Sequence, residues 1–153
     1  MDNERSSSRF WLVADYFREL DAAWVPTNAG YERQCLVEFD NKSWTVCLKI
    51  HVVPATHATG KRAMRLTFKA SVTIWPPRLS ERDERHLARI GWYAASRGAL
   101  LRCGYHGKWS KSPFGKWGDF WKDLRSVAAV RREAMRLERV PVALSAINRT
   151  AGR

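Results

Sequence analysis

The chain has 153 residues, 45% of them hydrophobic and 27% charged, a composition that fits one globular domain and excludes wholesale disorder. Its 27 Lys and Arg stand against 15 Asp and Glu, a formal charge of +12, which favours polyanions or acidic protein surfaces and disfavours basic partners. No apolar run approaches the ~20 residues of a membrane-spanning helix, and the start MDNERSSSRF has no secretory pattern. The three cysteines Cys35, Cys47 and Cys103 are too few, and odd in number, for a disulfide framework, so a reducing, cytoplasmic setting is expected.

In chain order, SSSRFWLVADYFRELDAAW predicts an amphipathic helix, with Phe10, Val13, Phe17, Leu20 and Trp24 at steps of three and four. VPTNAG stops it. Three strands follow. RQCLVEF ends at an Asp-Asn pair suited to a tight hairpin. SWTVCLKIHVV alternates, with Trp44, Val46, Leu48, Ile50 and Val52 on one face and Thr45, Cys47, Lys49 and His51 on the other. AMRLTFKASVTIW alternates again, with Met64, Leu66, Phe68, Ala70, Val72 and Ile74 inward and Arg65, Thr67, Lys69, Ser71 and Thr73 outward. After WPP, a helix over about 81–101 begins with Ser80 as N-cap and acids in its first turn. A loop is expected from about Gly104 to Pro113, and a last helix from about Gly115 to Arg139. Trp117, Phe120, Trp121, Leu124, Val127, Ala128 and Met135 form its buried stripe. Residues 141–153 form a C-terminal tail that frays or packs through Val142, Leu144 and Ile147.

The expected fold is a single α+β domain over 1–140: a three-stranded antiparallel sheet with helices packed on one face, in the order α-β-β-β-α-α. The helix-strand-strand-strand-helix order over residues 8–101 is similar to that of the double-stranded RNA-binding domain. That family opens its second helix with a Lys-Lys-x-Ala-Lys type phosphate clamp. Here SERDERHLAR is acidic at that point, and membership is not assigned.

No catalytic pattern emerges. The chain has no Gly-x-Ser-x-Gly, no phosphate-binding glycine loop and no His-Glu-x-x-His. Cys103 and His106 make one mixed pair, short of the two tight ligand pairs of a zinc site. No metal, cofactor or catalytic residue is expected, although acids such as Asp15, Glu19 and Glu38 converging in space would make a metal-dependent nuclease.

The charge is polarised. Residues 1–60 carry six basic and eight acidic side chains, a net of −2, whereas 61–101 carry nine against three and 102–153 carry twelve against four. Lys108, Lys111 and Lys116 alternate with Trp109 and Phe114, the mixture of cations and aromatics that grips single strands. Lys122, Arg125, Arg132, Arg136 and Arg139 fall broadly on one side of the last predicted helix, and Arg78, Arg82, Arg85 and Arg89 on one side of the helix before it. Lys49, Arg65 and Lys69 on the polar strand faces make a further surface. The expected function is non-catalytic nucleic-acid binding, DNA or RNA, through these residues. The alternative is a small basic interaction or inhibitor protein, of the mobile-element accessory type, that docks on an acidic host protein.

Overall fold

The two strands with the clearest alternation form the centre of a sheet that is twice as wide as the sequence predicts. The structure, a computed structural model, describes residues 24–27, 30–54, 66–113 and 115–151. The helix expected over 8–24 lies outside them except for Trp24, which is buried. The strands are β1 Val25–Pro26, β2 Gly30–Phe39, β3 Lys42–Pro54, β4 Leu66–Trp75, β5 His106–Ser112 and β6 Gly115–Leu124. All pair antiparallel in the order β1-β2-β3-β4-β6-β5. The helical segments are α1 Glu81–Arg89, α2 Trp92–Arg102, α3 Val127–Leu137 and α4 Arg139–Ala151.

The class is therefore α+β, but the three-stranded sheet is corrected to six strands. β1 is a short addition at the β2 edge. The larger change is the β5–β6 hairpin, which occupies the stretch expected to be a loop and the start of a helix. The physical reason is a coincidence of spacing. Trp117, Phe120, Trp121 and Leu124 recur at steps of three, one and three, like the stripe of a helix. In the folded chain they belong to two faces of one strand: Phe120 and Leu124 are buried while Trp121 is exposed. The aromatic content of both faces hides the period of two.

The β2–β3 turn is the tight hairpin the Asp-Asn pair suggests. Phe39 pairs with Lys42, and Asp40 and Asn41 have φ of 53° and 60°, the left-handed conformation a type I′ turn requires at both positions. Ser80 caps α1: its hydroxyl accepts from the Asp83 amide and the Asp83 carboxylate accepts from the Ser80 amide, a reciprocal box of the kind that satisfies two orphan donors. Those bonds hold the Asp83 carboxyl below its ordinary range, with Lys42 adding to the effect. The single helix expected over 81–101 breaks after Ile90, where Gly91 takes φ 76°, a cost-free conformation for glycine and a natural end to α1.

Cross-strand partners share a face, so the register defines two surfaces. One carries Val37, Phe39, Trp44, Val46, Leu48, Ile50, Phe68, Ala70, Val72, Ile74, Phe120 and Leu124, all buried. The helices pack on it through Leu87, Trp92, Leu100, Val130, Ala134, Leu137, Val140 and Leu144. At its centre is a ring cluster in which Phe39 stacks on Trp92 at 4.0 Å, Trp44 meets Trp92 at 5.4 Å, and Trp109 lies edge-on to Trp44, Tyr93 and Phe120. Residues 139–151 are helical, with Leu144 in the core and Val142 exposed. No helix among the described residues is long and apolar enough to cross a membrane.

Among the described residues one charged group is buried in this layer. Glu133 on α3 is 3% exposed and accepts from the Tyr105 hydroxyl at 2.7 Å and from Lys122 Nζ at 3.0 Å. Lys122 also donates to the Cys103 carbonyl and lies over the Tyr105 ring. Burial, then the Glu133 charge and hydrogen bond, push the Tyr105 phenol well above its ordinary value, so it is a donor at every working pH. Removing one member of such a group leaves the others desolvated and unpaired. Glu133→Ala is expected to destabilise the fold by about 3 kcal/mol in urea denaturation, and Glu133→Gln by less because the amide oxygen still accepts.

Candidate nucleic-acid interface

None of the described helices packs on the second face of the sheet. Along β3 it presents Thr45, Cys47, Lys49 and His51. β4 contributes Lys69, Ser71, Thr73 and Trp75, β6 contributes Trp117, Asp119, Trp121 and Asp123, and β5 contributes His106, Lys108 and Ser110. The outward alternation in β3 and β4 is the polar half of the pattern read from the sequence. The tryptophans are what a polar solvent face does not need. Trp75 is 48% exposed and Trp121 37%. Trp75 stacks on Trp117 with ring centroids 5.7 Å apart and planes 21° from parallel. Trp121 lies four residues further along β6, about 13 Å away at the rise of a strand, with Lys69 Nζ 5.9 Å over its ring.

The charges here nearly cancel. Lys108 stands opposite Asp119 in the ladder and Lys69 opposite Asp123, while Lys49 pairs with Glu32 at 3.8 Å. His51, between Lys49 and Lys69, is held below its ordinary value, first by burial and then by the two ammonium groups. It is therefore neutral at physiological pH. Burial likewise pushes the Cys47 thiol up, which leaves it a small apolar group.

The residues singled out in the sequence separate on this framework. Lys49, Lys69 and Lys108 share the open face. Trp109 does not: it points to the covered face, packs edge-on in the ring cluster, and donates its indole N–H to Ser96 at 3.1 Å. The room for it comes from Gly118, directly opposite, where an added Cβ would stand 3.4 Å from the indole. Lys111 and Lys116 share its side of the hairpin, and Lys116 Nζ sits 4.4 Å over the Tyr93 ring. Lys122 is engaged by Glu133. Phe114 and Arg65 lie outside the described residues. The expected Lys/Trp loop is therefore not one surface.

The two arginine rows also part company. Arg82, Arg85 and Arg89 are exposed on α1, which crosses the end of the sheet where β4 finishes. Lys42 contacts Asp83 at 3.6 Å, and His86 contacts Asp40 at 3.5 Å. Arg125, Arg132 and Arg136 are exposed beyond the end of β6, at the opposite end of the antiparallel pair, and on α3. Lys122 lies on strand β6 and Arg125 just beyond it, and helix begins only at Val127, so the single helix expected to join them to Arg132 and Arg136 does not form.

Trp75, Trp117 and Trp121 share the open face, a grouping that sequence reasoning missed. Trp117 and Trp121 read as core because of their spacing, whereas Trp75 continues the outward alternation of Lys69, Ser71 and Thr73. The signal that finds them is the Gly-Lys-Trp-Gly-Asp-Phe-Trp-Lys-Asp run read at a period of two, with Trp, Asp, Trp and Asp on one side. Among the described residues no group of three His, Cys, Asp or Glu converges to hold a metal ion.

No protein family, no curated protein and no solved structure matches the chain.

The inward and outward tryptophans differ in what their loss costs. Trp109→Ala removes a ring from a packed cluster and is expected to destabilise the protein by about 3–5 kcal/mol. Trp121→Ala and Trp75→Ala, on the open face, should each cost about 1 kcal/mol or less. Urea denaturation followed by circular dichroism compares the three.

Proposed function

We propose that the chain binds single-stranded nucleic acid on the open sheet face and performs no chemistry of its own. The observation that carries this reading is the aromatic row of the stacked Trp75–Trp117 pair and Trp121, with Trp75 and Trp121 exposed, on a face bare of the described helices. Every base has a π face, so a row of indoles accepts successive bases with little regard to sequence. The ~13 Å between Trp117 and Trp121 spans several nucleotides at the 3.4 Å rise of a stacked strand. Asp119 and Asp123, beside Trp121, are acceptors suited to amino groups on base edges, as a carboxylate is to the cytosine N4 amine. The net charge of +12 supplies long-range attraction for a polyanion. Duplex DNA hides its base faces in the stack and fits such a platform poorly. Cys35, Cys47 and Cys103 are free thiols, which suits a reducing, cytoplasmic compartment.

A second reading has its own support. On the helical layer, Met135 is 63% exposed among the exposed Arg132, Arg136 and Arg139, and Met with Arg is a mixture enriched at protein interfaces. That surface suits docking on an acidic protein, which pull-down from nuclease-treated lysate with wild type and Met135→Asp would detect.

Titration of short single-stranded DNA and RNA, read by tryptophan fluorescence quenching, tests the leading reading. Quenching and saturable binding are expected. Trp121→Ala should weaken binding by about 1–3 kcal/mol, the worth of one stacked base, with circular dichroism unchanged. Absence of binding to either polymer at low salt would sink the proposal.

A further inference from the structure

The open face has stacking groups but almost no uncompensated positive charge, so a strand seated on it needs its phosphates met elsewhere. We infer that the arginine-lined depression on α1 is the second half of the same site, and that it takes the phosphates of the strand as it leaves Trp75 around the β4–α1 corner. This rests on the single-strand reading above and extends its footprint.

Location is the first argument. β4 ends at Trp75, and only Pro76–Ser80 separate it from α1. The two prolines limit the freedom of that connection, and Arg78 within it is exposed. Trp75 pairs with Thr45 near the start of β3, and Lys42, at that start, contacts Asp83 on α1. On the other side, Pro76, Leu79 and Glu84 line a groove with Lys111, Ser112 and Gly115 of the β5–β6 hairpin. α1 thus crosses the end of the sheet where Trp75 and Trp117 lie.

Charge is the second argument. The depression, of about 600 Å³, is lined by Arg82, Asp83, Arg85, His86 and Arg89. Its one acid, Asp83, is taken up by the Ser80 amide and by Lys42. His86 faces Asp40 on one ring nitrogen and Arg89 on the other. Arg82 and Arg85 are exposed and meet no carboxylate among the described residues. Positions i, i+3 and i+7 place the three guanidinium groups along one helix side over about 10 Å. Guanidinium forks suit phosphate oxygens, and all five side chains lining the depression are charged or titratable.

The experiment compares oligothymidylates of about 4 and about 16 nucleotides, which bracket the usual site sizes of single-strand binders. Anisotropy titrations are run over a range of salt. Wild type should bind the longer strand at least about tenfold more tightly, with the steeper salt dependence. The triple variant Arg82→Ala, Arg85→Ala, Arg89→Ala should bind the short strand within about twofold of wild type. It should lose the gain with length, and its log–log salt slope on the long strand should fall by about 2, from roughly 0.7 per phosphate contact. A control triple, Arg125→Ala, Arg132→Ala, Arg136→Ala, removes the same charge at the far end of the sheet and should leave the gain intact. The Arg→Lys triple at 82, 85 and 89 should restore most of the slope. If the α1 variant binds the long strand like wild type, or if both alanine triples weaken it equally, the inference is overturned. If wild type binds neither strand, the single-strand reading itself fails first.

Discussion

A single carboxylate, Glu133, buried between α3 and the β5–β6 hairpin, is paired in a way that opposes any slip of the register on which the rest of the surface depends. Its two partners, Tyr105 and Lys122, flank the hairpin: one precedes β5 and the other lies within β6. A slip of one residue in a strand moves every side chain to the opposite face. For β6, such a slip would withdraw Lys122 from Glu133 and leave a charged group desolvated in the core. It would also turn Trp117, Asp119, Trp121 and Asp123 inward and Phe120 and Leu124 outward. The cost of an unpaired Glu133 thus opposes any arrangement in which the open face loses its indoles. An apolar residue at 133 could pack as densely, but it would add nothing to the penalty that the misplaced Asp119, Asp123, Phe120 and Leu124 already impose on a slip.

Glycine completes that constraint. Gly107 takes φ 141° opposite Phe120, and a Cβ there would stand 2.2 Å from the Asp119 carbonyl oxygen. Gly118 opposes Trp109. The hairpin therefore has small residues where the covered face places large rings, and large rings where the other face is open. The two copies of Gly-Lys-Trp fall on opposite sides of this division. Trp109 enters the ring cluster through its bond to Ser96, whereas Trp117 stacks on Trp75 outside. Identical tripeptides have different surroundings because strand parity, and not local composition, decides which way a residue points.

The legible parts of the sequence were those in which one face was apolar and the other polar. β3 and β4 meet that condition: Trp44 to Ile50 and Phe68 to Ile74 could be assigned to the core from alternation alone. The Asp-Asn turn and the Ser80 cap were legible because each rests on a local hydrogen-bond or φ requirement. β6 failed the condition, since a strand with aromatic residues on both faces has no visible period of two and its 3-1-3 spacing imitates a helix. Misreading it removed two strands from the sheet and assigned Trp117 and Trp121 to a core. The direction of Trp109 was not legible for the complementary reason: it depends on pairing with Gly118 nine residues on, and that contact leaves no trace in the spacing of neighbours. The arginines of α1 were visible as a row, but their proximity to Trp75 depends on where the sheet ends.

The separation of aromatic and cationic groups bears on how a strand would lie. Where lysines and indoles interleave, phosphates and bases compete for the same few ångströms, and the backbone is drawn down to the surface. Here Asp119 and Asp123 lie beside Trp121, and the lysines opposite them in the ladder are offset by those acids. Carboxylates on the platform repel phosphate and accept from amino groups, so the favourable orientation on the proposed site puts bases against the sheet and the backbone toward its rim. The guanidinium groups of α1 stand at that rim, beyond Trp75. Affinity would then divide into a stacking part that salt hardly touches and an ionic part that salt weakens. A neutral platform beside a cationic rim would keep the strong, unselective attraction of a +12 protein away from the surface proposed to take the bases.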